Sequence, residues 1–218
     1  MTWVIENLPQ IGALLIAHLV ITLPAILLSI LIAVPIGRLA QASRSGRSAL
    51  LGTTGLLYAI PSLPLLILIP TITGLPLRSA ATMIVALTVY GVALLARSAA
   101  DAFASVPSEI TAAASAMGHS ARATFVHVEL PLALPVLIAG TRVVAMSTIG
   151  LATIGALIGI PSLGSLFTDG FQRGIVAEVA TGVVLTVALA AVIDATLWAI
   201  GRFSQPWTRA RNLAGATA

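Results

Sequence analysis

Lysine and cysteine are both absent from the 218 residues: all 11 basic side chains are Arg and the Cys count is zero. A chain without lysine holds no GxxxxGK[ST] nucleotide loop and forms no Schiff base. Without cysteine it offers no disulfide, thiolate ligand or cysteine nucleophile. Charge is scarce too, at 8% of residues where soluble domains carry about 25%, and aromatics make up only 5%. What fills the space is apolar: 58% of the chain, with a mean hydropathy of +1.07. These proportions describe an integral membrane protein. A spanning helix takes roughly 20 residues to cross roughly 30 Å of hydrocarbon, which leaves no room for a sizeable soluble domain.

Uncharged runs place the crossings. Residues 11–36, 51–69, 79–96, 131–157 and 175–200 form five apolar stretches, so one all-α transmembrane domain over 1–218 is expected. The first stretch far exceeds a signal-peptide core of about 7 to 15 residues and has no basic segment before it, so it is read as a retained span. Pro61 and Pro64 interrupt the second, where each removes a donor and clashes with the preceding turn; a kink or local unwinding is expected. Gly155 and Gly159, at i and i+4, suit close helix packing at the end of the fourth.

With five crossings, Arg38, Arg44, Arg47, Arg97, Arg122, Arg202, Arg209 and Arg211 share one side, against Arg78 and Arg173 on the other. The positive-inside rule then puts the N-terminus outside, and the C-terminus and the polar loop 97–130 in the cytoplasm. Topology thus accounts for the net charge of +4, and no nucleic-acid partner is expected. Trp3, Trp198 and Trp207 lie near span ends, where indoles favour the interface with membrane lipid.

The most informative stretch is VPSEITAAASAMGHSARATFVHVELPLALP, from Val106 to Pro135. Pro107 can open a helix with Glu109 near its positive end, Gly118 stops it, and a second short helix is expected from about Ser120 to Val128 before Leu130 and Pro131 re-enter the membrane. Two short helices at a turn make a compact cytoplasmic knob suited to docking on a partner; an ordinary amphipathic loop is the competing reading.

The knob resembles the EAA loop of ABC importer permease subunits, a pattern ending in Gly, nine residues, Ile or Val, one residue, then Leu-Pro. Here Gly118 is followed by nine residues and then Val128, Glu129, Leu130 and Pro131. The likeness covers roughly residues 18–200 and is nearest to the osmoprotectant branch that carries glycine betaine, choline or carnitine. HLVITLPAILLSILIAVPIG, AIPSLPLLILIP and VELPLALPVLIAGTR look like that branch's first, second and fourth spans. Two departures stand out. Ala112, followed by Ala113 and Ala114, occupies the position of the acidic EAA residue, with Glu109 one turn earlier; and Gly159 to Gly164 reads GIPSLG where the branch often has a Gly-rich run.

The resemblance implies a type I ABC importer permease that moves a small zwitterion or quaternary ammonium by alternating access and is not itself an enzyme. Its implied partners are a second permease subunit, identical or paralogous, two cytoplasmic ATPases and an extracytoplasmic substrate-binding protein. ATP and Mg would sit on the ATPases, with no cofactor on this chain. The coupling loop would comprise Glu109, Ala112, Ala113, Ala114, Met117, Gly118, Val128, Leu130 and Pro131. Ergothioneine or methionine is an alternative substrate; an ion-coupled secondary carrier is the alternative mechanism.

Arg142 and Asp194 fall inside the fourth and fifth spans, where ionisable groups are costly and commonly paired. Arg142 lies about 16 Å beyond Pro131 and Asp194 about 12 Å before Arg202, so an ion pair at similar depth is expected. Arg142 is also a candidate for the pathway, with Tyr58, Pro61, Ser62 and Pro64 as candidate gate elements. His18 reads as a helix-packing residue, and His119 and His127 lack companions for a metal site, so none is expected.

Overall fold

The computed structural model describes residues 2–41 and 44–204, and the regular structure among them is helical. Trp207, Arg209 and Arg211 lie outside the described residues. Helix α1 (Thr2–Glu6) leads into α2 (Leu8–Gln41), whose 34 residues extend about 51 Å, more than the hydrocarbon thickness. Next come α3 (Arg44–Ala59) and α4 (Ser62–Thr73), bent by 104° at the break between them. The kink or local unwinding expected within 51–69 is therefore a full break between two helices. Pro61 stands in an extended conformation (φ −62°, ψ 143°), and Pro61 and Pro64 together remove two amide donors from one turn, more than a kink can absorb.

Ser79 caps α5 (Ala80–Ala104), its Oγ accepting from the Thr82 amide at 3.2 Å. This helix runs past residue 96, so Arg97 and Asp101 belong to it and the segment 97–130 begins as helix rather than loop. Isolated charges one turn apart do not stop a helix whose other side is alanine, and Ala99, Ala100 and Ala102 are fully buried. Then follow α6 (Ser108–Ala116) and α7 (Ala121–Thr124), which continues through a π-helical turn (Phe125–Glu129) into α8 (Leu130–Ala152). The second knob helix and the fourth span are thus one rod. Pro131 has no amide to give, and the turn before it widens so that the Leu130 N–H bonds the Phe125 carbonyl.

The end of the fourth span tightens into a 3₁₀ segment (Thr153–Ile158) that stops at Gly159, φ +83°. Gly159 is therefore a left-handed terminator, where a Cβ would meet the Arg78 side chain at 3.5 Å, and not half of a helix-packing motif; at Gly155 a Cβ would meet Met83 and Ile160 at 3.4 Å. Helices α9 (Gly164–Arg173) and α10 (Val176–Ser204) complete the described chain. Among the described residues four helices are long and apolar enough to cross a membrane, and five crossings result if the bent pair α3–α4 counts as one.

Helix α5 is the centre, packed by α2 and α8, with α10 outermost against α8 and α9. Small residues let these backbones close up: Ala25, Ala33, Ala96, Ala99, Ala133 and Ala145 have no exposed surface. At Gly91 a Cβ would stand 2.1 Å from Ser29 Oγ, and at Gly37 it would stand 2.7 Å from the Ala100 backbone nitrogen. Lipid provides no hydrophobic drive between helices, so this close approach holds the bundle together.

Candidate coupling knob and gate

The knob forms from local signals. Pro107 starts α6, and Gly118 (φ +87°) ends it, with the His119 amide returning to the Ala114 carbonyl at 3.1 Å. Ser120 caps α7, its Oγ accepting from the Ala123 amide at 3.2 Å. Of the candidate coupling residues, Ala114 points inward. Glu109, Ala112, Ala113, Met117 and Gly118 are exposed, Met117 by 74%, while Val128, Leu130 and Pro131 are half-buried where the rod enters the bundle. Glu109 lies in the first turn of α6, one turn before Ala112.

A cavity of about 320 Å³ lies behind the knob, lined by Ala112 together with Arg38, Thr111, Ser115, Ala121, Thr124 and Glu129. Its charged rim is a bidentate pair: Arg38 Nε and Nη2 donate to Glu129 Oε2 and Oε1 at 2.5 and 2.9 Å. Nearby, Arg47 donates to Asp101 Oδ1 at 2.6 Å and to Gln41 Oε1 at 2.7 Å. These contacts tie the ends of α2, α3 and α5 and the π-helical turn together, and bidentate Arg–carboxylate geometry makes the Arg38 contact the more directional. Sequence reasoning missed the Arg38–Glu129 pair. Its trace was there: Arg38 is the first charge after the first span and Glu129 the last before Leu130-Pro131, so both sit at one interface.

At the other candidate site, Tyr58 is 55% exposed beside the break, Pro61 is the extended residue, and Ser62 and Pro64 stand in the first turn of α4. The ring of Tyr58 meets that of Tyr90 edge-on, 6.3 Å between centroids at 88°. The Tyr90 hydroxyl donates to the Ile60 carbonyl, a second contact that sequence reasoning did not find.

Within the bundle, Arg142 Nε and Nη2 donate to Asp194 Oδ1 and Oδ2, both at 2.6 Å, joining α8 to α10. The arginine side chain is 36% exposed and the aspartate 25%, so the pair faces the edge of the described bundle and not its packed centre. His18 is fully buried, with Nδ1 accepting from the Leu163 amide at 3.3 Å, which fits a packing role. Among the described residues no cluster of His, Asp or Glu is arranged to hold a metal.

Residues 25–210 match the family model described as binding-protein-dependent transport system inner membrane component. The osmoprotectant import permease protein OsmW of Salmonella typhimurium is 29% identical over 88% of this chain and 90% of its own length. The choline transport system permease protein OpuBB of Bacillus subtilis is 31% identical over 83% of this chain and 82% of its own. Among solved structures, an inward-facing methionine ABC transporter, MetNI, superposes with a TM-score of 0.76 at 24% identity, covering 88% of this chain and 97% of that one, a likeness of fold. The chain therefore belongs to the binding-protein-dependent transport system inner membrane components, the multi-pass permeases of ABC importers.

Proposed function

We propose that the chain is half of an alternating-access pathway for a small zwitterionic or quaternary ammonium solute of the glycine betaine, choline or carnitine type. The observation that carries the substrate class is that relatives named for osmoprotectant and choline transport align over more than four-fifths of the chain. The bent pair α3–α4 counts as one crossing, giving five, with the N-terminus outside and the knob and C-terminus in the cytoplasm. ATP and Mg sit on two separate ATPase subunits, which grip the exposed face of α6 around Glu109, Ala112, Ala113, Met117 and Gly118. A second permease subunit completes the pathway, and an extracytoplasmic binding protein delivers the solute.

The break at Pro61 acts as a gate element. A helix interrupted by two prolines changes bend without breaking further backbone hydrogen bonds, so it is the soft point of the bundle. The Arg142–Asp194 pair fixes α8 to α10 so that the two move as one body.

Proteoliposomes carrying this permease with its ATPase and binding protein test the reading by uptake of labelled betaine, choline, carnitine, ergothioneine and methionine. Saturable, ATP-dependent uptake of a betaine-type solute is expected. Uptake of methionine alone would overturn the substrate class, and uptake driven by an ion gradient without ATPase would overturn the mechanism.

A further inference from the structure

At the break between α3 and α4 the two prolines each take away the helical donor of one carbonyl. Pro61 has no N–H for the Leu57 oxygen, and the Ile60 amide turns back to it at 3.4 Å. Pro64 has no N–H for the Ile60 oxygen, which an unbroken helix would satisfy from four residues ahead. The next amide along, that of Leu65, is already committed to the Pro61 carbonyl at 3.1 Å. The Ile60 carbonyl must therefore find a donor outside its own chain segment, because an unmet backbone acceptor in a membrane costs several kcal/mol. That donor is the hydroxyl of Tyr90, 30 residues away in sequence, on α5.

Tyr90 is built to hold this position. The residue is only 6% exposed, packed in a cluster with Leu65, Leu66, Ile69 and Met83, and Tyr58 braces its ring edge-on from α3. One side chain thus contacts both arms of the break. It stands on the helix that runs directly to the knob, since α5 ends at Ala104 and α6 begins at Ser108. From Tyr90 to Ala104 is 14 residues, about 21 Å of straight rod.

We propose that Tyr90 is a positioning residue for transport: its hydroxyl fixes the bend between α3 and α4 and links that bend to the helix leading into the coupling knob. Movement of the knob then reaches the break through α5, by a hydrogen bond that replaces the one Pro64 removed. The proposal rests on the reading of the break as a gate.

Tyr90→Phe removes the hydroxyl and keeps the ring. The chain has no native cysteine, so spin labels attached to Thr53→Cys and Ile72→Cys on the purified permease, before it is reconstituted with its ATPase and binding protein, report the bend without background from this chain. In the nucleotide-free, resting importer with Tyr90 intact, one narrow distance distribution is expected. In Tyr90→Phe, the population of other bend angles should rise by at least roughly fivefold, the scale of one net hydrogen bond and the lower bound for an acceptor left unmet, and solute imported per ATP hydrolysed should fall while ATP hydrolysis itself continues. An unchanged distance distribution would overturn the proposal. A broadened distribution with unchanged solute per ATP would instead overturn the gate reading, and with it the transport role of Tyr90.

Discussion

Gly118 shows how much one residue decides at the knob. A Cβ there would meet nothing within 4 Å, so space is not what excludes other residues; the backbone is, with φ at +87°. Gly118→Ala should cost roughly 1–2 kcal/mol, the penalty of an L-residue in the left-handed region, whereas Gly118→Asn should cost less. Thermal unfolding of the purified permease measures the first effect, and co-purification of the ATPase measures whether the turn between α6 and α7 matters for docking. If Gly118→Arg left both assembly and uptake intact, the docking face would lie elsewhere. This position was legible because a left-handed stop after a run of helix formers is a local signal. The Arg38–Glu129 pair and the Tyr90 contact were not, since their partners are 91 and 30 residues apart and depend on which faces of α2, α5 and the α7–α8 rod meet.

At the scale of elements, the Arg142–Asp194 pair is the contact that sequence reasoning could reach across 52 residues, because membrane thickness supplies a common ruler. Helical rise converts residue number into depth, and two opposite charges at one depth have strong reason to meet. The same ruler does not say where a helix gives way. Pro61 and Pro64 mark a kink or local unwinding in the sequence but not its size; the observed bend of 104° arises because the two prolines fall within one turn and Pro61 takes an extended conformation. For the ion pair, Arg142→Gln or Asp194→Asn alone should lower the yield of folded permease in detergent and its melting temperature, since each leaves a charge without its counter-ion. Arg142→Met combined with Asp194→Leu should recover most of that loss if the pair is only a fastener between α8 and α10. Recovered folding with lost uptake would show that the charges also serve the pathway.

For the molecule as a whole, the distribution of arginine is the boldest pattern in the sequence, and it makes a statement about orientation that packing alone does not. Helices α2, α5 and α8 would fit together equally well with the knob on either side of the membrane; the arginines at both ends of the bundle set the direction in which the chain inserts. The scarcity of other reactive groups makes this easy to read out, because a single introduced cysteine is the sole thiol. Glu6→Cys in α1, His119→Cys in the knob and Phe171→Cys in α9 all replace exposed side chains, the last of them 84% exposed. In intact cells, a membrane-impermeant maleimide should label Glu6→Cys and Phe171→Cys and leave His119→Cys untouched until the membrane is inverted. That pattern requires an odd number of crossings between Glu6 and His119, and so requires the bent pair α3–α4 to count as one full span. Labelling of Glu6→Cys and His119→Cys from the same side would mean that the pair returns to the face it left, and the break at Pro61 would then be the tip of a re-entrant loop in place of a hinge within a crossing helix.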